Sequence, residues 1–298
     1  MKRSALATWA ALLAYSIFGF SFLFSKVALN LADPFVLLSA RFVTAFLVLN
    51  LLALTGKMPF HLKDKPIAPL LLLGLVQPVI YFICENYGIA MTSASFSGVM
   101  LGIIPVVGLV TGRLILKERC SRFQILCAVL SVAGVALTTV GGEVAVSVLG
   151  TVLLLTAAAS SSVFSAVSRG ISDRFSPFER TYVMFALGSV VFTGIAVVQN
   201  WSDPAAVLVP LSMPRFWLSV AYLAVASSVG AFLLLNFAMN HISVAKASIF
   251  SNFTTVISVL AGILILHDSF SPLQLAGIVV ITLSVCGVSY RKDAPAKE

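Results

Sequence analysis

The chain has 298 residues, of which 59% are hydrophobic and only 10% charged, with a mean hydropathy of +1.05. The apolar residues fall in long blocks, so the composition excludes a soluble globular domain and indicates an integral membrane protein. The formal charge of +8 comes from basic residues that gather in the connections between membrane spans. We therefore do not expect the protein to bind nucleic acid.

Ten runs of roughly 18 to 25 apolar residues follow one another with short polar connections, and each forms a helix long enough to cross the ~30 Å hydrocarbon core. The predicted spans are 6–29, 35–55, 67–90, 95–116, 123–140, 148–168, 182–200, 216–240, 247–266 and 273–290. The first run has the basic start of a signal peptide but is too long for its hydrophobic region, so we expect it to be retained.

The basic residues lie almost entirely on one side of such a chain. Of the 19 lysines and arginines, only Lys26, Arg41 and Arg215 fall outside the connections on the side of the two termini. This asymmetry is the positive-inside signal, and adding or removing one span would scatter the charges over both sides. We therefore expect both termini in the cytoplasm.

The two halves of the chain repeat each other. The stretch GRLILKERCSRFQ aligns with GILILHDSFSPLQ at an offset of 150, which also aligns Asn86 with Asn236. Near the start of each half, Ser25-Lys26 aligns with Ser168-Arg169 at an offset of 143. We predict two five-helix repeats, residues 6–142 and 147–290. Because five is odd, the second repeat enters the membrane from the opposite side, and inverted repeats are typical of alternating-access carriers.

The fourth and ninth spans carry small and polar side chains at steps of three or four residues, which places them on one helix face. The fourth span has Gly98, Gly102, Pro105, Gly108 and Gly112, and the equivalent positions of the ninth have Ser248, Asn252, Thr255, Ser258 and Gly262. For the glycines we favour close helix packing. For the ninth span we favour a water-lined cavity, because Asn252 lies mid-span.

Two prolines, Pro78 and Pro105, lie inside predicted spans, where each removes a helical hydrogen bond. Such breaks mark the site or a hinge in some carriers, but prolines are also tolerated in ordinary membrane helices. Both interpretations stay open. The serines of the sixth span, in AAASSSVFSAVS, either line the same cavity or bond back to their own helix.

Glu85 is the charge that most needs a partner. It lies about 8 Å from the outer end of the third span, with Arg41 about 10 Å and Lys26 about 6 Å from the same side. We expect a partly buried ion pair of Glu85 with Arg41, shared at times with Lys26. Either this cluster is structural, or Glu85 exchanges a proton during transport while Arg41 or Lys26 meets a substrate carboxylate. Leu235 occupies the equivalent position of the second half.

Several stretches resemble a known family: FGFSFLFSKVAL with the following DPF and Arg41, AMTSAS, IIPVVGLVTGRLILKER, and SNFTTVISVLAGILILHDSFSPLQLAGIVV. On these residues each half resembles an EamA repeat of the drug/metabolite transporter superfamily, over about 6–290. The resemblance implies an all-α fold of ten transmembrane helices and a bacterial inner-membrane exporter of amino acids or other small metabolites. In this chain Thr255 replaces the family's usual proline, and His267-Asp268 its usual glycine-glutamate. Glu118 and Asp268 are then expected at helix ends in a structural role.

Other classes of protein fit less well. The sequence has no HExxH, GxSG, Walker or CxxC motif, so we expect no enzyme, no cofactor, no metal site and no ATP-driven pump. A channel or a non-transporting scaffold subunit is the alternative to a secondary carrier. We expect a small-molecule substrate, the lipid bilayer and no nucleic acid as partners, and a monomer or homodimer. The candidate substrate or coupling residues are Glu85, Arg41, Lys26, Asn86, Tyr81, Asn236, Asn252, Thr255 and Ser248.

Overall fold

The computed structural model describes residues 2–56, 61–62, 65–108, 121–140, 147–171, 173–239 and 254–290. Across these ranges the regular structure is helical and includes no β-strand. Within the described residues, six helices are long and apolar enough to cross a membrane, and four shorter apolar helices accompany them. The predicted all-α membrane architecture is confirmed, while the count of ten spans stays a prediction.

The helices follow the predicted spans where these are described, whereas parts of the fourth and ninth predicted spans lie outside the described residues and a short helix forms in the predicted loop between spans seven and eight. In the first half they are α1 (Lys2–Leu29), α2 (Pro34–Leu54), α3 (Ala68–Ala90), α4 (Ala94–Gly108) and α5 (Arg122–Val140). In the second half they are α6 (Val148–Gly170), α7 (Pro177–Gln199), the short α8 (Ala205–Leu211), α9 (Pro214–Ala221, Tyr222–Ala231 and Phe232–Met239 in succession), α10 (Thr254–Ile265) and α11 (Pro272–Tyr290).

Helix α7 begins at Pro177, earlier than the predicted start at Tyr182. Ser176 caps it, because its Oγ accepts from the Glu179 N–H and the Glu179 carboxylate accepts in turn from the Ser176 N–H. The same carboxylate binds Lys65 Nζ at 2.9 Å. The predicted span does not include Glu179, whose charge the cap and Lys65 together stabilise at the start of the helix.

The bundle is organised around a buried aromatic cluster that joins α2, α3 and α7. The Phe42 ring lies 5.0 to 5.2 Å, centroid to centroid, from the rings of Phe82, Phe185 and Phe192. Gly188 lets α7 come this close, because a Cβ there would lie 2.5 Å from Phe42 Cδ1. Around this core, α2 packs along α7, α5 along α11, α3 against α6, and α1 against α9.

Helices α3 and α9 each contain a stretch of wide π-helical turns. In α3 it covers Leu75–Ile80, and Gln77 inside it is extended, with φ −144° and ψ 113°. Pro78 is the cause, because proline disfavours a helical conformation at the preceding residue. In α9 the wide turns cover Tyr222–Ala231, which includes the positions equivalent to 75–80 at the offset of 150. The predicted break at Pro78 is confirmed.

Serines of α6 bond to backbone carbonyls beside the two intramembrane prolines. Ser160 Oγ donates to the Val76 carbonyl at 2.7 Å, next to the extended turn before Pro78. Ser162 Oγ donates to the Ile104 carbonyl at 3.2 Å, immediately before Pro105. These hydroxyls therefore satisfy backbone groups where the helices are irregular, as membrane helices require.

Candidate substrate site

Arg41 is buried where α2, α3 and α9 meet, with 3% of its surface exposed. Its Nε donates to Ser228 Oγ at 2.9 Å, and its Nη2 donates to Ser227 Oγ at 3.4 Å. The guanidinium lies over the Phe82 ring, with 4.5 Å between Cζ and the ring centroid, which is a cation–π contact. Within the described part of the chain these bonds engage two of the five N–H groups of the guanidinium, and the other three have no acceptor there.

Glu85 lies in the same buried region, on α3. Its Oε1 accepts from the Tyr81 hydroxyl at 2.9 Å, one helical turn away, and its Oε2 lies 3.5 Å from Asn86 Nδ2. Asn86 Nδ2 also donates to the Phe82 carbonyl at 2.9 Å, which leaves Asn86 Oδ1 as the free end of the amide. That oxygen is buried, and the described residues provide no hydrogen-bond donor to it. A buried acceptor without a partner is costly, and a donor group of a ligand would satisfy it.

The salt bridge predicted between Glu85 and Arg41 is not formed. The two charges attract each other through space, yet among the described residues the nitrogen–oxygen contact within 4.0 Å joins Lys65 to Glu179 instead. Hydroxyl groups hold the charges apart, because the serines of α9 orient Arg41 and Tyr81 orients Glu85 along its own helix. The site therefore presents one cationic and one anionic group, each with bonding capacity left.

Lys26 does not belong to this cluster, and the prediction that it shares Glu85 is wrong. Lys26 is in the last turn of α1, and its Nζ donates to the carbonyls of Ile89 at 2.9 Å, Ala90 at 3.2 Å and Thr92. These carbonyls end α3, where they lack helical partners and where the helix dipole attracts a cation. They lie beyond Glu85 at the end of α3 and so suit a lysine in the last turn of its own helix.

The small-residue stripes of α4 and α10 pack against each other. A Cβ on Gly98 would lie 1.8 Å from Ser258 Oγ, and one on Gly102 would lie 2.3 Å from Thr255 Oγ1. Thr255 Oγ1 donates to the Gly98 carbonyl at 3.3 Å. Close packing therefore explains these glycines, and for Thr255 the predicted water-lined cavity is wrong in this conformation. Gly108 is different, since a Cβ there would meet no atom of the described residues closer than 4.0 Å.

Other predicted residues cannot be placed in the same way. Ser248, Asn252 and Gly112 lie outside the described residues, as does the side chain of Asn236. Conversely, sequence reasoning missed two residues of the site, the partners of Arg41. The internal duplication could have identified these two serines, because the offset of 150 aligns Ser227-Ser228 with Gln77-Pro78, where the helical turn of α3 is broken.

Comparison with known proteins identifies the family. The model of the EamA-like transporter family matches residues 5–140 and matches again at residues 148–290. The chain belongs to the EamA-like transporter family. It is therefore a multi-pass membrane transporter that contains the EamA unit twice, as the internal alignment predicted.

Proteins with similar sequences align with all or nearly all of this chain. A Bacillus subtilis protein named "Uncharacterized transporter YcxC" is 34% identical over 303 residues, which span 100% of this chain and 97% of that one. An "Uncharacterized transporter" of Archaeoglobus fulgidus is 20% identical over 281 residues, 93% and 96% of the two chains. A solved crystal structure at 17% identity superposes with a TM-score of 0.65 over 95% of this chain and 97% of its own, which shows a shared fold.

Proposed function

We propose that this protein is a secondary transporter that exports amino acids or other small organic metabolites across a bacterial plasma membrane, with both termini in the cytoplasm. The observation that carries the proposal is the pair of separated buried charges, Arg41 and Glu85. Buried ionisable groups in membrane helices are costly and characteristically mark solute or proton pathways. Both residues lie where α2 and α3 of the first EamA unit contact α9 of the second.

Alternating access by two inverted five-helix repeats is supported by the pattern of helix contacts. The duplication makes α1 equivalent to α6, α2 to α7, α3 to α9 and α5 to α11. When each helix is replaced by its equivalent, the contact of α3 with α6 becomes that of α9 with α1, and the pairs α2–α7 and α5–α11 are unchanged. The wide turns of α3 and α9 are also equivalent. A pseudo-two-fold axis in the membrane plane produces this pattern, and carriers of that type bind substrate at broken helices on the repeat interface.

The chemistry of the cluster suits a zwitterion. The three remaining N–H groups of Arg41 form a planar fork that matches a carboxylate. On α3, Glu85 and the unpartnered Asn86 Oδ1 are acceptors for an ammonium group. An amino acid bound between them would pair its carboxylate with Arg41 and its ammonium group with Glu85, two residues that form no salt bridge with each other.

Glu85 is also the group that we assign to proton coupling. Without a cationic ligand, a buried carboxylate is stabilised by taking up a proton, and a substrate ammonium in the same place favours its loss. Proton and substrate then compete for one group, so inward proton movement drives export. Among the described groups, the Tyr81 hydroxyl and Asn86 Nδ2 donate to this carboxylate, and Arg41 attracts it through space. Since Leu235 occupies the position equivalent to Glu85 in the second repeat, the first repeat alone provides a carboxylate here for proton exchange.

The experiment is uptake of a pooled panel of labelled amino acids and small metabolites by the purified protein in liposomes, with and without an imposed proton gradient. We expect saturable uptake that responds to the gradient. Flux that never saturates and follows voltage would instead indicate a channel. No movement of any solute, in liposomes that hold folded protein, would support a scaffold subunit. The matched control is Asp203→Asn, which removes a carboxylate from an exposed connection.

A further inference from the structure

Arg180 is a buried cation without a partner charge, one turn into α7. Its exposed fraction is 8%, and among the described residues no carboxylate lies within 4.0 Å of its guanidinium. The neighbouring carboxylate of Glu179 instead binds Lys65 and accepts from the N–H groups of His61 and Ser176. An uncompensated buried charge is costly, above all in a membrane helix. An anionic ligand would compensate it.

The hydrogen bonds of Arg180 leave one edge of its guanidinium free. Nη1 donates to the Ser168 carbonyl at 3.0 Å and to Ser168 Oγ at 2.6 Å. Nε is buried and has no acceptor, and no described residue accepts from Nη2. Nε and Nη2 form an edge whose two parallel N–H groups can bind both oxygens of one carboxylate. The free groups therefore have the geometry of a bidentate anion site.

Arg180 is separate from the site around Arg41. Helix α7 begins beside the end of α2, where the Tyr182 hydroxyl donates to Asn50 Oδ1 at 2.8 Å. Asn50 follows Arg41 along α2 at a distance of roughly 13 Å. At Arg41 the occupied edge is the opposite one, because Nε and Nη2 bind the serines of α9. Arg180 thus lies towards the end of the bundle that the charge distribution predicts to face the cytoplasm.

The surroundings of Arg180 are apolar. Met184, one turn further along the same face of α7, lies in a buried cluster that includes Leu70, Leu73 and Phe175. Water is a weak competitor in such surroundings, and the attraction between a guanidinium and an anion is stronger there than in bulk water. The free edge is therefore suited to hold a small carboxylate.

A row of serines on α6 leads from Arg180 towards the middle of the bundle. Ser161, Ser165 and Ser168 follow one another at steps of four and three, which places them on one helix face. Ser165 Oγ bonds back to the Ser161 carbonyl at 3.0 Å. The next residue, Ser160, donates to a backbone carbonyl in the broken turn of α3 at 2.7 Å. This polar row connects the level of Arg180 with the level of the break.

We propose that Arg180, oriented by Ser168, is an inner binding site for the carboxylate of the transported solute, which binds there on entry from the cytoplasm before it reaches Arg41. The inference rests on the proposed function, in which the solute is an amino acid or a similar metabolite. The carboxylate binds Nε and Nη2, while Ser168 holds Nη1. Nε is covered in this conformation, so the carboxylate reaches it after the neighbouring side chains move. A phospholipid phosphate has the same oxyanion chemistry, and the test separates the two sources.

The test is the NMR signal of the Arg180 Nε–H group in the full-length protein, labelled with ¹⁵N-arginine and held in phosphatidylcholine nanodiscs. Arg180→Lys assigns the signal by removing it. The probe is a pool of glycine, alanine, serine, leucine and phenylalanine, and the control is the pool of the matching amines, which lack the carboxylate. We expect the amino acids to shift the signal saturably, because a charge-assisted bond forms at Nε, and the amines to leave it unchanged. A shift with both pools, or with neither, would overturn the site.

Two further measurements define the source and the partner. A shift caused by phosphatidylglycerol in the nanodisc, and not by the amino acids, would assign the site to a lipid and overturn the solute site. The Nε–H signal of Arg215, at the exposed start of α9, is the reference and should not shift. Ser168→Ala keeps the charge but removes one acceptor of Nη1, and we expect about threefold weaker binding of the amino acids. Unchanged binding in Ser168→Ala would overturn the role of Ser168.

Transport from the two faces gives a second readout. Arg180→Lys keeps the positive charge but loses the bidentate edge. In inside-out vesicles, which present the cytoplasmic face, we expect the KM of the amino acids to rise about tenfold, with a change of less than about twofold in right-side-out vesicles. A merely structural role predicts a lower melting temperature and equal changes from both faces. A saturable NMR shift without any uptake would support the inner site while the transport assignment fails, and uptake without a shift would do the reverse.

Discussion

Arg41 and Glu85 lie in one buried cluster without forming a salt bridge. Arg41 is bonded to Ser228 of the second EamA unit at 2.9 Å, and Glu85 is bonded to Tyr81 of its own helix at the same distance. Two opposite charges that stay apart in a low-dielectric interior are costly unless a ligand or a proton compensates them. The separation is therefore the feature on which the proposed transport site rests, because a structural ion pair would bring the two charges into contact.

The contribution of Arg41 is tested by Arg41→Lys. Lysine keeps the charge but loses the planar fork and the stacking on Phe82. We expect the KM for a transported amino acid to rise about tenfold or more, which corresponds to ~1.4 kcal/mol of binding free energy. Initial uptake rates over a range of substrate concentrations measure this. Arg215→Lys, at the exposed start of α9, is the control, and an equal change in both variants would exclude a substrate role.

Glu85→Gln separates binding from coupling. Glutamine can still accept the Tyr81 hydrogen bond but cannot bind or release a proton. We therefore expect stimulation by a proton gradient to be lost, while exchange of internal for external solute continues at a measurable rate. Counterflow in preloaded liposomes, with and without the gradient, distinguishes the two. Gradient stimulation that persists in Glu85→Gln would remove this carboxylate from the coupling mechanism.

The helix positions were largely predictable from the sequence, because a bilayer demands long apolar runs and the duplication checks their order. The pairing of the charges was not. Position along a span gives the depth of Arg41, Glu85 and Lys26, but not the rotation of each helix about its axis. That rotation is set by packing, here by Phe42 and its aromatic neighbours.

The stripe of the ninth span shows a second limit. The mid-span position of Asn252 favours a cavity along this stripe, but Ser258 and Thr255 on the same stripe are small enough to pack onto glycine. Whether such a residue faces water or another helix depends on what lies opposite. Opposite them are Gly98 and Gly102, whose missing side chains provide the space.

The contact of α4 with α10 gives a prediction on stability. In Gly98→Ala the new methyl group collides with Ser258, and we expect a loss of about 1–3 kcal/mol, as for other overpacked contacts. Thermal unfolding in detergent measures it. Adding Ser258→Gly should restore most of the loss by providing space. Gly194→Ala, where a Cβ meets nothing within 4 Å, is the control. A loss in Gly194→Ala equal to that in Gly98→Ala would argue against the tight contact.

Glu179 gives a prediction at the other end of the bundle. Its carboxylate binds Lys65 and accepts from the N–H groups of His61 and Ser176. Replacement by alanine removes the capping box and the carboxylate that binds Lys65, which is partly exposed and can be solvated, so we expect a loss of about 1–3 kcal/mol in unfolding free energy. The folded fraction should transport with unchanged KM. A raised KM at full stability would instead place Glu179 in the solute pathway.

Proton movement is the most direct measurement of the central claim. Liposomes that contain the protein and a trapped pH indicator are mixed with an external amino acid that the protein transports. If proton and substrate compete for Glu85, entry of the amino acid drives protons out and the internal pH rises in the wild type but not in Glu85→Gln. Entry of the amino acid with no change of internal pH, or an equal rise in Glu85→Gln, would contradict the account.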